Sequence, residues 1–157
     1  MDSVRIDYLH DHRNLVPTVA DCIYGEWSDI IDSPSAADFI EHADRRLCRR
    51  EIPTTFVAFY EDNPVGSCSL LQTDLKTRMD LSPWLAEMFV LPEYRRRGIG
   101  RALVKRAVEE ANALEVEALY LFTPDREGFY ARLGWSVTER AELCGRGIAI
   151  MTRRLAP

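Results

Sequence analysis

The residues best suited to chemistry lie together at 92–101, in the run Pro92-Glu93-Tyr94-Arg95-Arg96-Arg97-Gly98-Ile99-Gly100-Arg101. An apolar stretch, Leu85 to Leu91, precedes it, and an amphipathic stretch follows. A helix start leaves backbone N–H groups unpaired, and the helix dipole adds partial positive charge there. Together these make an anion site. Glycines at 98 and 100 let a phosphate approach the backbone with no Cβ in the way. The arginines add charge and bidentate hydrogen bonding. This chemistry is pyrophosphate binding without a metal. The same run also reads as a solvated arginine stretch before an ordinary helix. It is not a Walker A loop, because no Gly-Lys-Ser/Thr follows. Nor is it a dinucleotide fingerprint, because the spacing fails and no early βαβ unit exists.

Elements must position that turn. Trp84 to Leu91 reads as a strand closed by Pro92. Gly98 to Leu114 is a helix with Ile99, Leu103, Ala107, Ala111 and Leu114 on one face, and Arg101, Lys105, Glu109 and Asn112 on the other. Upstream, Val4 to Tyr8 is a short strand, and Asn14 to Trp27 has helical spacing with Pro17 in the first turn. Ser33-Pro34 marks the start of a second helix, with Phe39, Ile40, Ala43 and Leu47 on one side. Thr54 to Tyr60 and Val65 to Leu71 form a hairpin around Glu61 to Pro64. Ala118 to Phe122 is a strand, and Arg126 to Leu133 a short helix stopped by Gly134. Trp135 to Glu142 and Gly147 to Leu155 form a last hairpin around Cys144-Gly145-Arg146. The order β-α-α-β-β-β-α-β-α-β-β predicts an α+β domain with a mixed, mostly antiparallel sheet of about seven strands and about four helices. Its central strand-helix-strand unit supplies one parallel pair.

Composition narrows the function classes. The chain has 157 residues, which fits one domain over 1–157. Such a domain buries roughly two thirds of its unfolded surface without help from metals or disulfides. Hydrophobic residues make up 46% and charged residues 29%. A net charge of −5 makes a poor non-specific nucleic-acid binder. The apolar runs are too short to span a bilayer, and the N-terminus lacks a signal-peptide layout. The expectation is a cytoplasmic protein with no membrane or nucleic-acid partner. Cys22, Cys48, Cys68 and Cys144 show no CxxC spacing and read as buried small hydrophobes. No metal site is expected. Arg45-Arg46 with Arg49-Arg50 read as the polar side of a helix, and Arg153-Arg154 as a terminal strand end.

The 92–100 run resembles motif A of the GNAT superfamily of N-acetyltransferases, whose centre is Arg/Gln-x-x-Gly-x-Gly/Ala. Arg95, Gly98 and Gly100 fill its three defining positions. The preceding Phe89-Val90-Leu91-Pro92 also matches. The later Phe129-Tyr130-Ala131-Arg132-Leu133-Gly134-Trp135 is similar to the family's Phe-Tyr-x-x-x-Gly-Phe element. The element order fits that fold from about Val4 to Leu155, so the resemblance spans nearly the whole chain.

The resemblance implies that the strand before motif A splays from its parallel neighbour and opens a V-shaped cleft. It implies acetyl-CoA as co-substrate, with no metal. The pantetheine arm would bond the strand backbone around Met88, Phe89 and Val90. The pyrophosphate would take the turn amides of Arg95, Arg96, Arg97, Gly98, Ile99 and Gly100, with Arg101 just inside the helix. The thioester would lie near Val90 and Phe122. Tyr130 matches the tyrosine that protonates the departing thiolate, a role suited to a phenol. Glu87 is the best candidate for the base, with Glu26, Asp74 and Asp80 behind it. Strand alternation sets Glu87 and Phe89 on the face opposite Met88 and Val90, unless a bulge intervenes.

The implied function is acetyl transfer to a primary amine by direct attack in a ternary complex. A CoA-binding or regulatory module that has lost turnover, and a different transferase of the same fold using a longer acyl-CoA or a tRNA-linked donor, are the alternatives. The acceptor, a small-molecule or peptide amine, would be enclosed by the first two helices, the segment Thr73 to Pro83 and the last hairpin. Trp27, Trp84 and Trp135 are aromatic enough to wall that pocket, but each reads first as core. Monomer and homodimer are both compatible with the sequence.

Overall fold

The computed structural model describes residues 3–30 and 35–155. Its strands are β1 (Val4–Tyr8), β2 (Thr54–Tyr60), β3 (Asn63–Leu71), β4 (Trp84–Val90), β5 (Ala118–Thr123), β6 (Ser136–Leu143) and β7 (Arg146–Arg154). Its helices are α1 (Val16–Trp27), α2 (Ala36–Glu41), α3 (Ala43–Arg46), α4 (Ile99–Ala113) and α5 (Glu127–Arg132). The expected order is borne out, and the sheet runs β1-β2-β3-β4-β5-β7-β6. Every neighbouring pair is antiparallel except β4 and β5. The Ser33-Pro34 helix start lies outside the described residues.

Both hairpins are set by local backbone chemistry. The β2–β3 connection turns at Glu61 and Asp62, both at positive φ. The β6–β7 connection turns at Cys144 and Gly145 in the same way. Two consecutive positive φ values match the right-handed twist of the strands they join.

The sheet is covered on both faces. Phe56 and Ala58 of β2 face α4, where Ile99, Leu103, Ala107 and Ala111 bury the predicted apolar stripe. Val57 and Phe59 point the other way, against Val16, Val19 and Ile23 of α1 and Phe39 of α2. Alternate residues of one strand therefore anchor two helical layers. Glu110 is buried on the otherwise apolar face of α4. The Tyr8 hydroxyl donates to its two oxygens at 2.9 and 2.8 Å, and Arg106 lies 3.1 Å away. A third cluster, Leu75, Trp84, Ile148 and Ile150, seals the segment after β3 against the far half of the sheet.

Three expectations are corrected here. The second helix breaks at His42 into α2 and α3. Ile40 then falls on the exposed side, while Phe39, Ala43 and Leu47 stay buried. The basic cluster at 45–50 is not one polar helix face, because α3 ends at Arg46. Of the four cysteines only Cys68 is buried; Cys144 is exposed at its hairpin tip. Among the described residues no helix is long and apolar enough to cross a membrane.

Candidate functional site

The parallel pair β4–β5 is joined at one position, Trp84 opposite Tyr120. Beyond it the strands diverge, and the gap opens into a cavity of about 1350 Å³. The divergence has a local cause on β4. Ser69 of β3 pairs with Ala86, but Ser67 pairs with Phe89. Glu87 and Met88 thus occupy the length opposite Cys68 alone, which is a β-bulge. Glu87 takes φ +56°, the strained half of backbone space for a non-glycine residue. The bulge overrides strict alternation, and Glu87, Met88, Phe89 and Val90 all line the cavity.

At the mouth of the gap, a short turn at Pro92–Tyr94 leads into the arginine-glycine segment. Arg96 and Gly98 both take positive φ, +65° and +82°. Gly98 is the N-cap of α4, and no side chain caps that helix. The Ala102 amide donates to the Gly98 carbonyl at 3.0 Å. The amides of Ile99, Gly100 and Arg101 come before it and have no intrahelical acceptor. A Cβ built on Gly98 would meet nothing within 4 Å, so the space in front of this backbone is open. Gly100 is held against the Phe129 ring and Val90. The uncapped end of a 15-residue helix therefore faces the same cavity as the bulged strand. Its dipole and free amides suit a diphosphate.

The turn's side chains do different things. Ile99 is buried in the core, so only its backbone faces the gap. The Arg95 Nε donates to the Val90 carbonyl at 3.1 Å, and its guanidinium approaches Glu26 at 3.6 Å. Arg97 lies over the rings of Tyr60 and Tyr94. Arg96 and Arg101 are exposed and line the cavity.

Tyr130 of α5 lines the cavity from the α4 side of the sheet and is only 6% exposed. Burial pushes its phenol well above the ordinary tyrosine range, so it stays protonated near neutral pH. Phe129 and Trp135 pack edge-on against its ring. Cys68 is fully buried, its thiol is pushed up by burial, and it donates to the Leu103 carbonyl at 3.7 Å.

The other end of the cavity is lined by the end of α1, by α2 and α3, by Leu71 to Met79, and by the β6–β7 turn. Here Glu87 meets Arg46, whose Nη2 donates to Oε1 at 2.7 Å. Both side chains are largely buried, at 18% and 9% exposure. The Arg46 guanidinium also stacks 4.1 Å from the Phe39 ring centre. Asp74, half-buried in the cavity wall, makes no hydrogen bond or ion pair among the described residues. Its carboxyl is pushed up to about 8, chiefly by burial and then by Glu87, with Arg46 opposing. Glu26 lines the cavity too, paired with Arg95. Asp80 does not line it and is paired with Arg78 at 3.0 Å.

Trp27 corrects an expectation. Trp84 and Trp135 are core, but Trp27 lines the cavity. Its indole N–H donates to the Met88 carbonyl at 2.9 Å, and its ring meets Phe122 edge-on. The two sides of the gap are thus bridged by an aromatic pair. Asp38, Glu41 and His42 form the one group among the described residues that could hold a metal ion, with ligand atoms within 4.8 Å. The His42 Nδ1, however, already lies 2.9 Å from the Asp38 carbonyl oxygen.

A family model for the acetyltransferase (GNAT) domain matches residues 51–137, more than half of the chain. The chain belongs to the GNAT acetyltransferase family. An N-acetyltransferase of Chlorobaculum tepidum, itself uncharacterised, is 29% identical over 85 residues, covering 54% of this chain and 51% of that protein. The chain therefore spans about half the length of that curated relative. Among solved structures, N-acetylglutamate synthase of Neisseria gonorrhoeae, complexed with coenzyme A and N-acetylglutamate, superposes with a TM-score of 0.73 at 18% identity. That match covers 99% of this chain and 36% of the synthase. A GNAT-family acetyltransferase of Staphylococcus aureus gives 0.71 at 18% identity, covering 98% of this chain and 100% of its own. These structural likenesses establish a shared fold.

Proposed function

We propose that this chain is one acetyltransferase domain that moves the acetyl group of acetyl-CoA to a primary amine by direct transfer. The observation that carries the reading is the uncapped α4 N-terminus opening onto the same cavity as the bulged β4 strand and Tyr130. The diphosphate would take the amides from Arg96 to Arg101, with Arg95, Arg96 and Arg101 nearby. The open space in front of Gly98 fits that group. The pantetheine arm would lie along Met88, Phe89 and Val90. The coenzyme A held by the gonococcal synthase supports the choice of donor.

The chemistry then follows from the cavity's two ends. The acceptor enters from the side of Glu87 and Trp27. Its nitrogen attacks the thioester carbonyl carbon, the C–N bond forms and the C–S bond breaks. The departing thiolate takes a proton from Tyr130, whose raised pKa keeps that proton available at neutral pH. A covalent acyl-cysteine is disfavoured, because the Cys68 thiol is buried and held as the neutral form. The reaction needs no metal in this scheme, and the acceptor is a small-molecule or peptide amine.

Isothermal calorimetry with acetyl-CoA, in the presence of EDTA, tests the donor half. Free-thiol release over an amine panel tests turnover. Saturable binding together with amine-dependent thiol release is expected. Absence of binding retires the reading, and binding without thiol release leaves a CoA-binding module instead.

A further inference from the structure

The acceptor end of the cavity contains more acid-base apparatus than the reaction scheme above uses. An alkylammonium has no lone pair, so the acceptor must lose a proton before it attacks. Glu87 is the obvious carboxylate, yet its Oε1 is clamped by Arg46 at 2.7 Å in a largely buried pair. A proton on it would break that charge-assisted bond and leave a largely buried guanidinium without its partner. Asp74 differs in having no such clamp among the described residues. It lines the same cavity, lies within electrostatic reach of both Glu87 and Arg46, and has no partner of its own among the described residues.

Resting on the acetyltransferase reading, we propose that Asp74 accepts the proton of the acceptor ammonium, and that Glu87, fixed by Arg46, positions that ammonium beside it. The acceptor R–NH₃⁺ gives one proton to the Asp74 carboxylate, leaving R–NH₂ and a neutral carboxyl. The freed nitrogen forms the C–N bond as the C–S bond breaks. The nitrogen's second proton replaces the one that Tyr130 delivers to sulfur, and Asp74 returns its proton to solvent. The sum is amide, free thiol and one released proton.

The other titratable and charged groups lining this end of the cavity are Tyr24, Glu26 and Asp29 at or just after the end of α1, Asp38 and His42 on or beside α2, Arg46 on α3, Lys76 on the segment after β3, Glu87 on β4, and Cys144 and Arg146 at the β6–β7 turn. Of these, Glu87 and Arg46 are the ones that act on Asp74. A base whose pKa lies near the working pH combines a useful ionised fraction with proton affinity. The value of about 8 places Asp74 there.

The test is kcat/KM against pH, from 6 to 10, for the wild type, Asp74→Asn and Asp74→Glu. The acceptor is whichever of glutamate, lysine, spermidine, tyramine and diglycine the wild type turns over fastest, read by CoA thiol release. The wild-type profile should rise through about pH 8. Asp74→Asn should lose roughly 10- to 100-fold at pH 7 and approach wild type near pH 10, where the free amine forms unaided. Its acetyl-CoA affinity should be unchanged. Asp74→Glu should restore part of the rate with a displaced limb. A wild-type rate and limb in Asp74→Asn, or a loss equal at every pH, overturns the assignment. If Asp74→Asn does not fold, an unshifted limb in Asp74→Glu overturns it. A wild type silent on every amine removes the acetyltransferase reading and this one together. An active wild type with an unaffected variant removes only this one.

Discussion

Gly98→Val separates a residue needed for the fold from one needed for the ligand. Gly98 sits at φ +82°, where a side chain strains the backbone by about 1–2 kcal/mol. A Cβ there would touch nothing within 4 Å, so no steric cost is added in the free protein. In a domain of this size that strain lowers Tm by roughly 2–8 °C. The effect on acetyl-CoA is larger. A branched side chain would fill the space in front of the α4 amides and deny the diphosphate about two charge-assisted hydrogen bonds of roughly 1.5–3 kcal/mol each. Affinity should fall by more than about 100-fold, at 1.4 kcal/mol per tenfold. Acetyl-pantetheine, which lacks the diphosphate, provides the internal comparison. Its binding, measured by the same calorimetry, should change less than threefold, about 0.65 kcal/mol on that scale. Gly66→Ala is the contrasting glycine. Its Cβ would lie 2.8 Å from the Phe89 carbonyl oxygen, so stability should fall and both ligands should suffer together. Tight acetyl-CoA binding by a folded Gly98→Val variant would refute the phosphate assignment. Equal loss of acetyl-CoA and acetyl-pantetheine would refute the claim that Gly98 acts at the diphosphate alone.

Three further outcomes are expected. Tyr130→Phe should lower turnover by about 10- to 1000-fold, as for loss of a positioned acid, with acetyl-CoA affinity nearly intact by calorimetry; unchanged turnover removes Tyr130 from the mechanism. Glu110→Ala should destabilise by roughly 2–4 kcal/mol in urea unfolding, because it orphans the Tyr8 hydroxyl and the Arg106 guanidinium beside a buried site, whereas Glu110→Gln should recover much of the loss. The raised pKa of Asp74 makes the folded state hold a proton that the unfolded state releases above about 3.8, so its contribution falls as pH rises from there toward about 8. Asp74→Asn should therefore match the wild type in Tm near pH 4 and exceed it near pH 9.

The α4 end of the cavity was legible in the sequence because local rules build it. Gly98 and Gly100 lie two residues apart, the apolar stripe of α4 begins at Ile99, and a strand ends at Pro92 just upstream. A backbone turn into a helix needs nothing from the rest of the chain to present its amides. Glycine spacing and helix periodicity mark it as an anion site, and the resemblance to motif A is what separates that reading from a solvated arginine stretch. The bulge was not legible, because it is a property of a pair of strands. Whether Glu87 faces with or against Met88 depends on how Ser67 and Ser69 register with β4, and no pattern within β4 encodes that.

The opposite end of the cavity failed to show for the same reason at longer range. Arg46 reaches Glu87 across 41 residues and Trp27 reaches Met88 across 61. In the sequence each is an arginine among arginines, or an aromatic at a helical apolar position. Once the break at His42 ends the second helix early, α3 delivers Arg46 into the cleft, where its partner is a carboxylate lifted out of register by the bulge. These two irregularities work together. A regular β4 would alternate Glu87 against Met88, and a continuous second helix would have given the arginines one polar face. The clamp then has a consequence for chemistry: Arg46 occupies Glu87 in a largely buried pair and leaves Asp74 as the neighbouring carboxyl whose proton can move near neutral pH. The resemblance to acetyltransferases directs attention to the strand carboxylate. The packing that surrounds it points to a second carboxyl, Asp74, which has no partner among the described residues.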